Sequence, residues 1–524
     1  MLNNIPELSW GAFVPQFLGF FNNAKDRDLK WFTDLDRAAF FHEAVHYINA
    51  LSSTYSIHLI LECLDAVKKM IREFGGNANG IFSLISTEDD YWKHFLQQSE
   101  SCEGRYSYEN LNIKEYLTDR GYFREDADRL LLDLEPLKQT YIAIYNEQTQ
   151  CHEILCWNHV SQQYFVIPMG IMAMQECQAY INEMIHATES DEFASFTLNS
   201  KKYSSENPVH IYTILFELFH KAIIESEEIA GTKEQKLLFL EFALDISMQM
   251  PLFVDDENYK DTYIPSSTFI KILDYISQKK CVPDLKNNRD YIGYLDEMCR
   301  AIDIYPCTKS WRNLFDVIDT MLNFTNDDLK KHVSSEFLSG YSNKVAETIL
   351  NIANRNPVNK HYKHGIATND TKDKVKGDVL DYIDKNRSVM VNGSLGGGIL
   401  FLVRDVLKMR ISNPWYFTYP HNHFHKYFDD ILPPIVFFNN APVSYLSTQK
   451  YWLLRDMQFI KHLWALYIQK QTSSESFKCG NRFFEISCKE RQTGCCFEYR
   501  PDAPLCNTNC EFTDCLSWFK LISR

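Results

Sequence analysis

The segment TDLDRAAFFHEAVHYINALSS, residues 33–53, predicts a helix that carries two histidines on one face. Thr33 and Asp34 are good N-cap residues, and a Ser-Ser-Thr cluster follows the last apolar residue. His42 and His46 are four residues apart, so both imidazoles can reach one metal ion. Glu43 projects beside that face, where its carboxylate can take a proton from water and return it to a leaving amine. The segment therefore predicts a metal-dependent hydrolytic centre.

The residues around the two histidines favour a buried site. Between residues 38 and 53, Glu43 is the only charged side chain. The histidine face otherwise holds Ala38, Ala39, Val45, Asn49 and Ala50, while the opposite side offers Phe40, Ala44, Tyr47 and Leu51 for packing. A buried glutamate is destabilising unless it is paired or serves a metal site. The alternative is a structural helix with two hydrogen-bonded core histidines.

The stretch AFFHEAVHYI, residues 39–48, resembles the active-site segment of zincin metallopeptidases, in which uncharged residues surround the HExxH motif. The resemblance covers these ten residues, and no specific family is recognised over the remaining chain. It implies that His42 and His46 bind zinc and that Glu43 is the general base. The metzincin branch has a glycine and a third histidine where this chain has Asn49 and Ser52, so the third ligand must come from elsewhere.

A similarity to glutamate-type zincins implies a third ligand on a later helix. The first candidate is Glu176, an acidic residue on the otherwise apolar helix of PMGIMAMQECQAYINEM, which follows a strand-like segment. The alternatives are Glu62, on the helix directly after the HExxH helix, and the pair Glu217 and His220. A helix-surface position is the structural alternative for Glu176.

Two other classes of protein remain open. The pattern E-x-x-H occurs at residues 43–46 and 217–220, and ferritin-like di-iron oxidoreductases use one such pair on each of two helices. They also need a lone glutamate on each of two further helices. Glu176 is suitable, but the first 33 residues contain only Glu7. The other class is a non-catalytic, metal-binding interaction protein.

Seven of the fifteen cysteines lie in the last 46 residues of the chain, between positions 479 and 515. Four thiolates can close a structural zinc site, and an iron–sulfur cluster also takes four cysteines. Disulfides are the third alternative, in an oxidising compartment. For a second, structural zinc ion the predicted ligands are Cys495, Cys506, Cys510 and Cys515.

Composition narrows the partners and the compartment. The formal net charge of −15 argues against nucleic-acid binding, which needs a basic surface. No stretch has the roughly 18 consecutive apolar residues of a membrane span. The first 21 residues lack a basic leader region and contain Pro6, Glu7 and Pro15, so we expect no signal peptide and a cytoplasmic location.

The predicted fold class is mainly α (α+β), with a zincin-like core built from the HExxH helix and a small sheet. The predicted domains are a catalytic core (1–230), a helical lobe (231–355), a linker or mobile loop (356–378), a helical or mixed domain (379–475) and a Cys-rich terminal module (476–524). Helices are predicted over 33–53, 56–76, 169–188, 209–231, 233–250, 268–278, 313–323 and 343–353, with strands in 151–168. The predicted activity is hydrolysis of peptide bonds in a protein or peptide substrate. The appended domains would select that substrate or bind a regulatory partner.

Overall fold

The computed structural model describes residues 11–14, 18–22, 33–61, 112–119, 141–146, 151–158, 163–189, 211–252, 263–285, 288–323, 397–420, 436–438, 441–443, 460–463, 465 and 469. These residues are mostly helical and include a small three-stranded antiparallel sheet. The prediction of a mainly helical fold is confirmed for them. The Cys-rich segment and residues 343–353 lie outside the described residues.

The named elements among the described residues are ten α-helices, one π-helical turn (His220–Ile224) and seven strands. The strands are β1 (Gly11–Val14), β2 (Gly19–Asn22), β3 (Tyr141–Asn146), β4 (Cys151–Asn158), β5 (Gln163–Pro168), β6 (Val436–Phe438) and β7 (Ala441–Val443). The helices are α1 (Asp34–Ser52), α2 (Ile113–Asp119), α3 (Ile171–Glu189), α4 (Ile211–Phe219), α5 (Lys233–Ser247), α6 (Pro265–Lys279), α7 (Asn288–Ala301), α8 (Cys307–Asn323), α9 (Gly397–Ser412) and α10 (Pro414–Thr418).

Helix α1 begins at a reciprocal cap. The hydroxyl of Thr33 accepts from the backbone N–H of Asp36 at 3.2 Å, and the carboxylate of Asp36 accepts from the N–H of Thr33 at 3.0 Å. This capping box satisfies two backbone donors at the start of the helix. The helix then contacts α3, α9, β1 and β2. Its HExxH segment is therefore held on several sides.

The three-stranded sheet leads directly into α3. Its order is β3-β4-β5, and both pairs are antiparallel. Ile154 on β4 lies opposite Ile167 on β5, and both side chains are buried. Strand β5 ends at Pro168 and α3 begins three residues later, at Ile171, so the sheet sets where α3 starts. Helix α3 then packs along α1.

A second, four-stranded sheet joins distant parts of the chain. Its order is β1-β2-β6-β7, with β2 and β6 parallel and the other two pairs antiparallel. Phe21 lies opposite Phe437 in the parallel pair. On β1, the ring of Phe13 meets the ring of Tyr47 edge-on at 6.2 Å. The sheet thus links β1 and β2, which contact α1, to two strands that come late in the sequence.

One hydrophobic cluster extends across the predicted domain boundary at residue 230. Its buried members come from the α3–α4 region and from α5 through α8. Tyr55, in the helical backbone of residues 54–61, belongs to it too, and so do Phe242 and Trp311. Residues on both sides of the boundary therefore share a core.

Several predicted elements differ from the structure. The single helix predicted for 209–231 is α4 followed by a π-helical turn, His220–Ile224. The helix predicted at 313–323 begins six residues earlier, at Cys307. The helix predicted at 268–278 is α6, which begins earlier, at Pro265, because proline suits the first helical turn. Of the helix predicted at 56–76, residues 56–61 are described and helical. The sequence analysis did not predict α7 or strands β1, β2 and β3.

Candidate metal centre

Helix α1 places the two predicted histidine ligands side by side. The imidazole rings of His42 and His46 are 4.8 Å apart between centroids, and their Nε2 atoms are 3.1 Å apart. Each side chain retains about a tenth of its surface in contact with solvent, 11 % in both cases. The spacing of one helical turn accounts for this proximity.

Helix α3 supplies the carboxylate that the sequence analysis ranked first. Oε2 of Glu176 lies 3.0 Å from Nε2 of His42 and 3.3 Å from Nε2 of His46. The packing of α3 along α1 brings these groups together, although Glu176 is 134 residues from His42 in the chain. His42, His46 and Glu176 thus form a group of potential metal ligands.

The sequence analysis missed a second carboxylate, that of Glu183. It lies seven residues after Glu176 on α3, and its Oε2 is 3.3 Å from Nδ1 of His42. When the Nδ1–H group of His42 donates to Glu183, the other ring nitrogen, Nε2, carries the lone pair. That lone pair points away from Glu183, toward His46 and Glu176. Carboxylates commonly orient metal-binding histidines in this way. The available signal was the spacing of seven residues, two helical turns, which places both glutamates on one face.

The three ligand atoms have separations suited to a metal ion. They are 3.0, 3.1 and 3.3 Å apart, whereas tetrahedral zinc with bonds of about 2.0–2.1 Å separates its ligand atoms by roughly 3.3–3.4 Å. The donor and acceptor roles at the two Nε2 atoms depend on the tautomers of His42 and His46. If both Nε2 atoms donate to Glu176, two N–H groups face each other across 3.1 Å. A cation bound by all three atoms would remove that repulsion, and the group could hold one.

Carboxyl groups outnumber positive partners at this cluster. Glu43, Glu176 and Glu183 face two imidazoles, and within the part of the chain that the structure describes no lysine or arginine forms an ion pair with these glutamates. Buried charges need pairing or a metal. The chemistry of this donor set therefore fits a divalent cation.

The electrostatic environment shifts each of these groups. Burial alone lowers the pKa of His42, but the carboxylates of Glu183 and Glu176 outweigh it and raise that pKa well above its usual value. Burial alone raises the pKa of Glu176, but His46 and His42 outweigh it, so the net shift is downward. Burial raises the pKa of Glu43 to about 7, with His42 and His46 opposing that rise.

The structure places two of the alternative ligands, Glu217 and His220, outside the group formed by His42, His46 and Glu176. Glu217 is exposed on α4, and Nδ1 of His220 lies 3.3 Å from Oε1 of Glu225 in the π-helical turn. Among the described residues, neither Glu217 nor His220 belongs to a group of potential metal ligands. The second E-x-x-H pair of the di-iron alternative is thus not brought to the cluster. Glu62 lies outside the described residues, as do the predicted zinc ligands Cys495, Cys506, Cys510 and Cys515.

No family model matches the chain, and comparisons with curated proteins and with solved structures find no match. Within the described ranges, no helix combines the length and the apolar character needed to cross a membrane. The geometry of the cluster is therefore the principal guide to function.

Proposed function

We propose that the chain is a zinc-dependent metallopeptidase that hydrolyses peptide bonds in a protein or peptide substrate. The observation that carries the proposal is the convergence of Nε2 of His42, Nε2 of His46 and Oε2 of Glu176 within 3.3 Å of one another. Glu43, the residue after the first histidine, lies within their electrostatic influence. The proposed fold of this region is a zincin-like core, as the HExxH segment suggests.

In this proposal the residues have separate roles. His42, His46 and Glu176 would hold the zinc ion, and Glu183 would orient the imidazole of His42 through Nδ1. When bound, zinc supplies Lewis acidity, which polarises the scissile carbonyl and lowers the pKa of water. Glu43 accepts a proton from that water on its carboxylate and later donates it to the leaving amine. The burial of Glu43 suits this exchange because its carboxyl group is shielded from bulk water.

The HExxH arrangement favours a peptide or amide over other hydrolysable bonds. An amine is a poor leaving group until it is protonated, so the reaction needs a group that both removes and returns a proton. Glu43 beside the ligand group meets that need. We further propose a cytoplasmic protein, a structural metal or cluster in the Cys-rich segment, and domains outside the metal site that select substrate or bind a regulator.

The substitution Glu43→Gln tests the proposal because it keeps the shape of the side chain and removes its base. We expect zinc content and the unfolding midpoint to stay close to those of the wild type. Peptide cleavage should fall at least 100-fold, in line with the usual contribution of a general base. Cleavage would be measured by mass spectrometry on a diverse library of unstructured peptides.

The matched control is Glu217→Gln, an equivalent change at an exposed position on α4. It should leave cleavage unchanged. If the wild type carries zinc and cleaves no peptide in the library, or if Glu43→Gln cleaves at the wild-type rate, the peptidase proposal is contradicted. In the first case a non-catalytic metal-binding protein becomes the better account.

A further inference from the structure

A buried amide pair joins the two metal-binding helices close to the ligands. Nδ2 of Asn49 on α1 donates to Oε1 of Gln178 on α3 at 3.0 Å, and both residues are essentially inaccessible to solvent. Asn49 follows His46 by three residues and Gln178 follows Glu176 by two. At about 1.5 Å of rise per residue, the bond lies within one helical turn of a metal ligand on each helix.

The far end of this pair is anchored to a third helix. Nε2 of Gln178 donates to the backbone carbonyl of Thr418 in α10 at 3.3 Å. Because a carbonyl only accepts, Gln178 must direct its NH₂ group to Thr418 and its oxygen to Asn49. Asn49 must then be the donor in the bond between α1 and α3. The orientation of both amides is therefore determined by α10.

The next turn of α3 is held as well. Nδ2 of Asn182 donates to the backbone carbonyl of Gln178 at 2.8 Å and to Oε1 of Glu241 on α5 at 2.8 Å. Asn182 is fully buried, as is Glu241. Side chains of α1 and α5 and a backbone carbonyl of α10 thus form hydrogen bonds with the segment of α3 between Glu176 and Glu183.

Stability alone is a poor explanation for the amide of Asn49. Its Oδ1 is buried and has no hydrogen-bond partner among the described residues. A buried acceptor without a partner is destabilising, and an apolar pair of the same shape can stabilise a helix contact equally well. Apolar side chains, however, tolerate sliding of one helix along the other. A hydrogen bond does not, because it weakens once the two atoms move outside a narrow range of distances.

We propose that Asn49 and Gln178 are positioning residues that fix α1 against α3 and thereby set the separations of the three metal-binding atoms. This inference rests on the metal site proposed above. A functional site must be held within about 0.5 Å of its working geometry. The ligands come from two different helices, so any sliding between α1 and α3 changes the distances of Glu176 from His42 and His46.

The test compares the zinc affinity of the full-length wild type with that of Asn49→Leu, which keeps the branched shape of the side chain and removes the amide. Affinity would be measured by competition with a chromophoric chelator, and zinc bound by His46→Ala would be subtracted to remove other sites. We expect Asn49→Leu to bind zinc roughly 10–100-fold more weakly, as outer-sphere changes commonly do. The exchange Asn49→Gln with Gln178→Asn keeps the bond and its total length, so it should restore most of that affinity.

The control for loss of a buried amide is Asn146→Leu. Asn146 is also buried, and its Nδ2 donates to Oε1 of Glu153 at 2.8 Å in the three-stranded sheet. This variant should lose stability but keep the zinc affinity of the wild type. If Asn49→Leu does not fold, as judged by circular dichroism, Asn49→Ser provides the same comparison because serine is too short to reach Gln178.

The possible results separate two failures. If the wild type shows no zinc that depends on His46, the metal site itself is wrong and the inference falls with it. If the wild type binds zinc there, and the folded Asn49 variant binds it with unchanged affinity, the site stands and the positioning role is contradicted. Equal weakening by Asn49→Leu and Asn146→Leu would also contradict it, since the effect would then follow from lost stability.

Discussion

Two buried clusters of charged side chains in this molecule balance their negative charge in different ways. In the first, Nη2 of Arg410 on α9 lies 2.7 Å from both carboxylate oxygens of Asp245 on α5. The same carboxylate accepts from the hydroxyl of Thr418 at 2.6 Å and from Nε2 of Gln249 at 2.9 Å. The guanidinium lies over the ring of Trp311, 4.5 Å from its centroid. The protein itself supplies both the negative charge and its positive partner.

The cluster between α1 and α3 lacks such a partner among the described residues. Three carboxyl groups lie near two imidazoles. The three potential ligand atoms lie close to one another instead of forming separate ion pairs. The side chains of His42, Glu176 and Glu183 also keep between 11 % and 20 % of their surface exposed, whereas the side chain of Arg410 has none. The difference indicates that the first cluster is built for stability of the fold. The second cluster could hold a metal ion, as proposed above.

The largest expected effect comes from breaking the first cluster with Arg410→Met. This change leaves Asp245 buried without its positive partner, and such losses cost about 3–5 kcal/mol of stability. Urea unfolding monitored by circular dichroism would measure it, in the presence and absence of zinc. Because the cluster is complete in itself, the loss should be similar in both conditions.

The companion variant combines Arg410→Met with Asp245→Leu. Removing both charges avoids the unpaired carboxylate, so this protein should be more stable than Arg410→Met alone. If the single variant is as stable as the wild type, or if its loss disappears when zinc is added, the distinction between the two clusters is contradicted.

A smaller effect is expected at the edge of the second cluster, from Glu183→Ala. The change removes the acceptor for Nδ1 of His42 but leaves His42, His46 and Glu176 in place. Zinc affinity should fall about 10–100-fold, or roughly 1.4–2.7 kcal/mol, as for other residues that orient a ligand. Glu183→Gln should have a weaker effect because its amide oxygen can still accept from His42. Isothermal titration with zinc would measure both.

Glu217→Ala is the matched control for this series, since Glu217 is an exposed glutamate on the neighbouring α4. It should not change zinc affinity. A Glu183→Ala protein with full affinity would mean that Glu183 contacts His42 without orienting it. An equal loss in Glu217→Ala would point to a general effect of negative charge near the site.

Local spacing made part of the site predictable. The positions of His42 and His46 on one helical face follow from helix geometry alone. Glu176 stood out because it interrupts an apolar run directly after a strand. Glu183 did not, because an acidic residue in the last two turns of a helix resembles an ordinary surface residue. Its contact with His42 depends on how α3 packs along α1, which is set by tertiary structure.

The fold, too, was predictable only where a local sequence pattern was present. The pattern of α7 was present in the sequence, since Tyr291, Leu295 and Met298 recur at helical spacing and are buried. Strand β2, by contrast, pairs in parallel with β6 more than 400 residues away. Arg410 and Asp245 are 165 residues apart in the chain. Pairings of that separation leave no local pattern, so the sequence analysis did not anticipate the buried ion pair or the four-stranded sheet.

The most direct test of the metal site is the zinc-to-protein ratio, measured by elemental mass spectrometry on the wild type and on His46→Ala. The proposal predicts about one zinc ion fewer per chain in the folded variant, since three protein ligands usually hold a catalytic zinc ion. Any zinc bound by the Cys-rich segment would remain in both samples. Equal ratios in the two folded proteins would contradict the assignment of a metal ion to His42, His46 and Glu176.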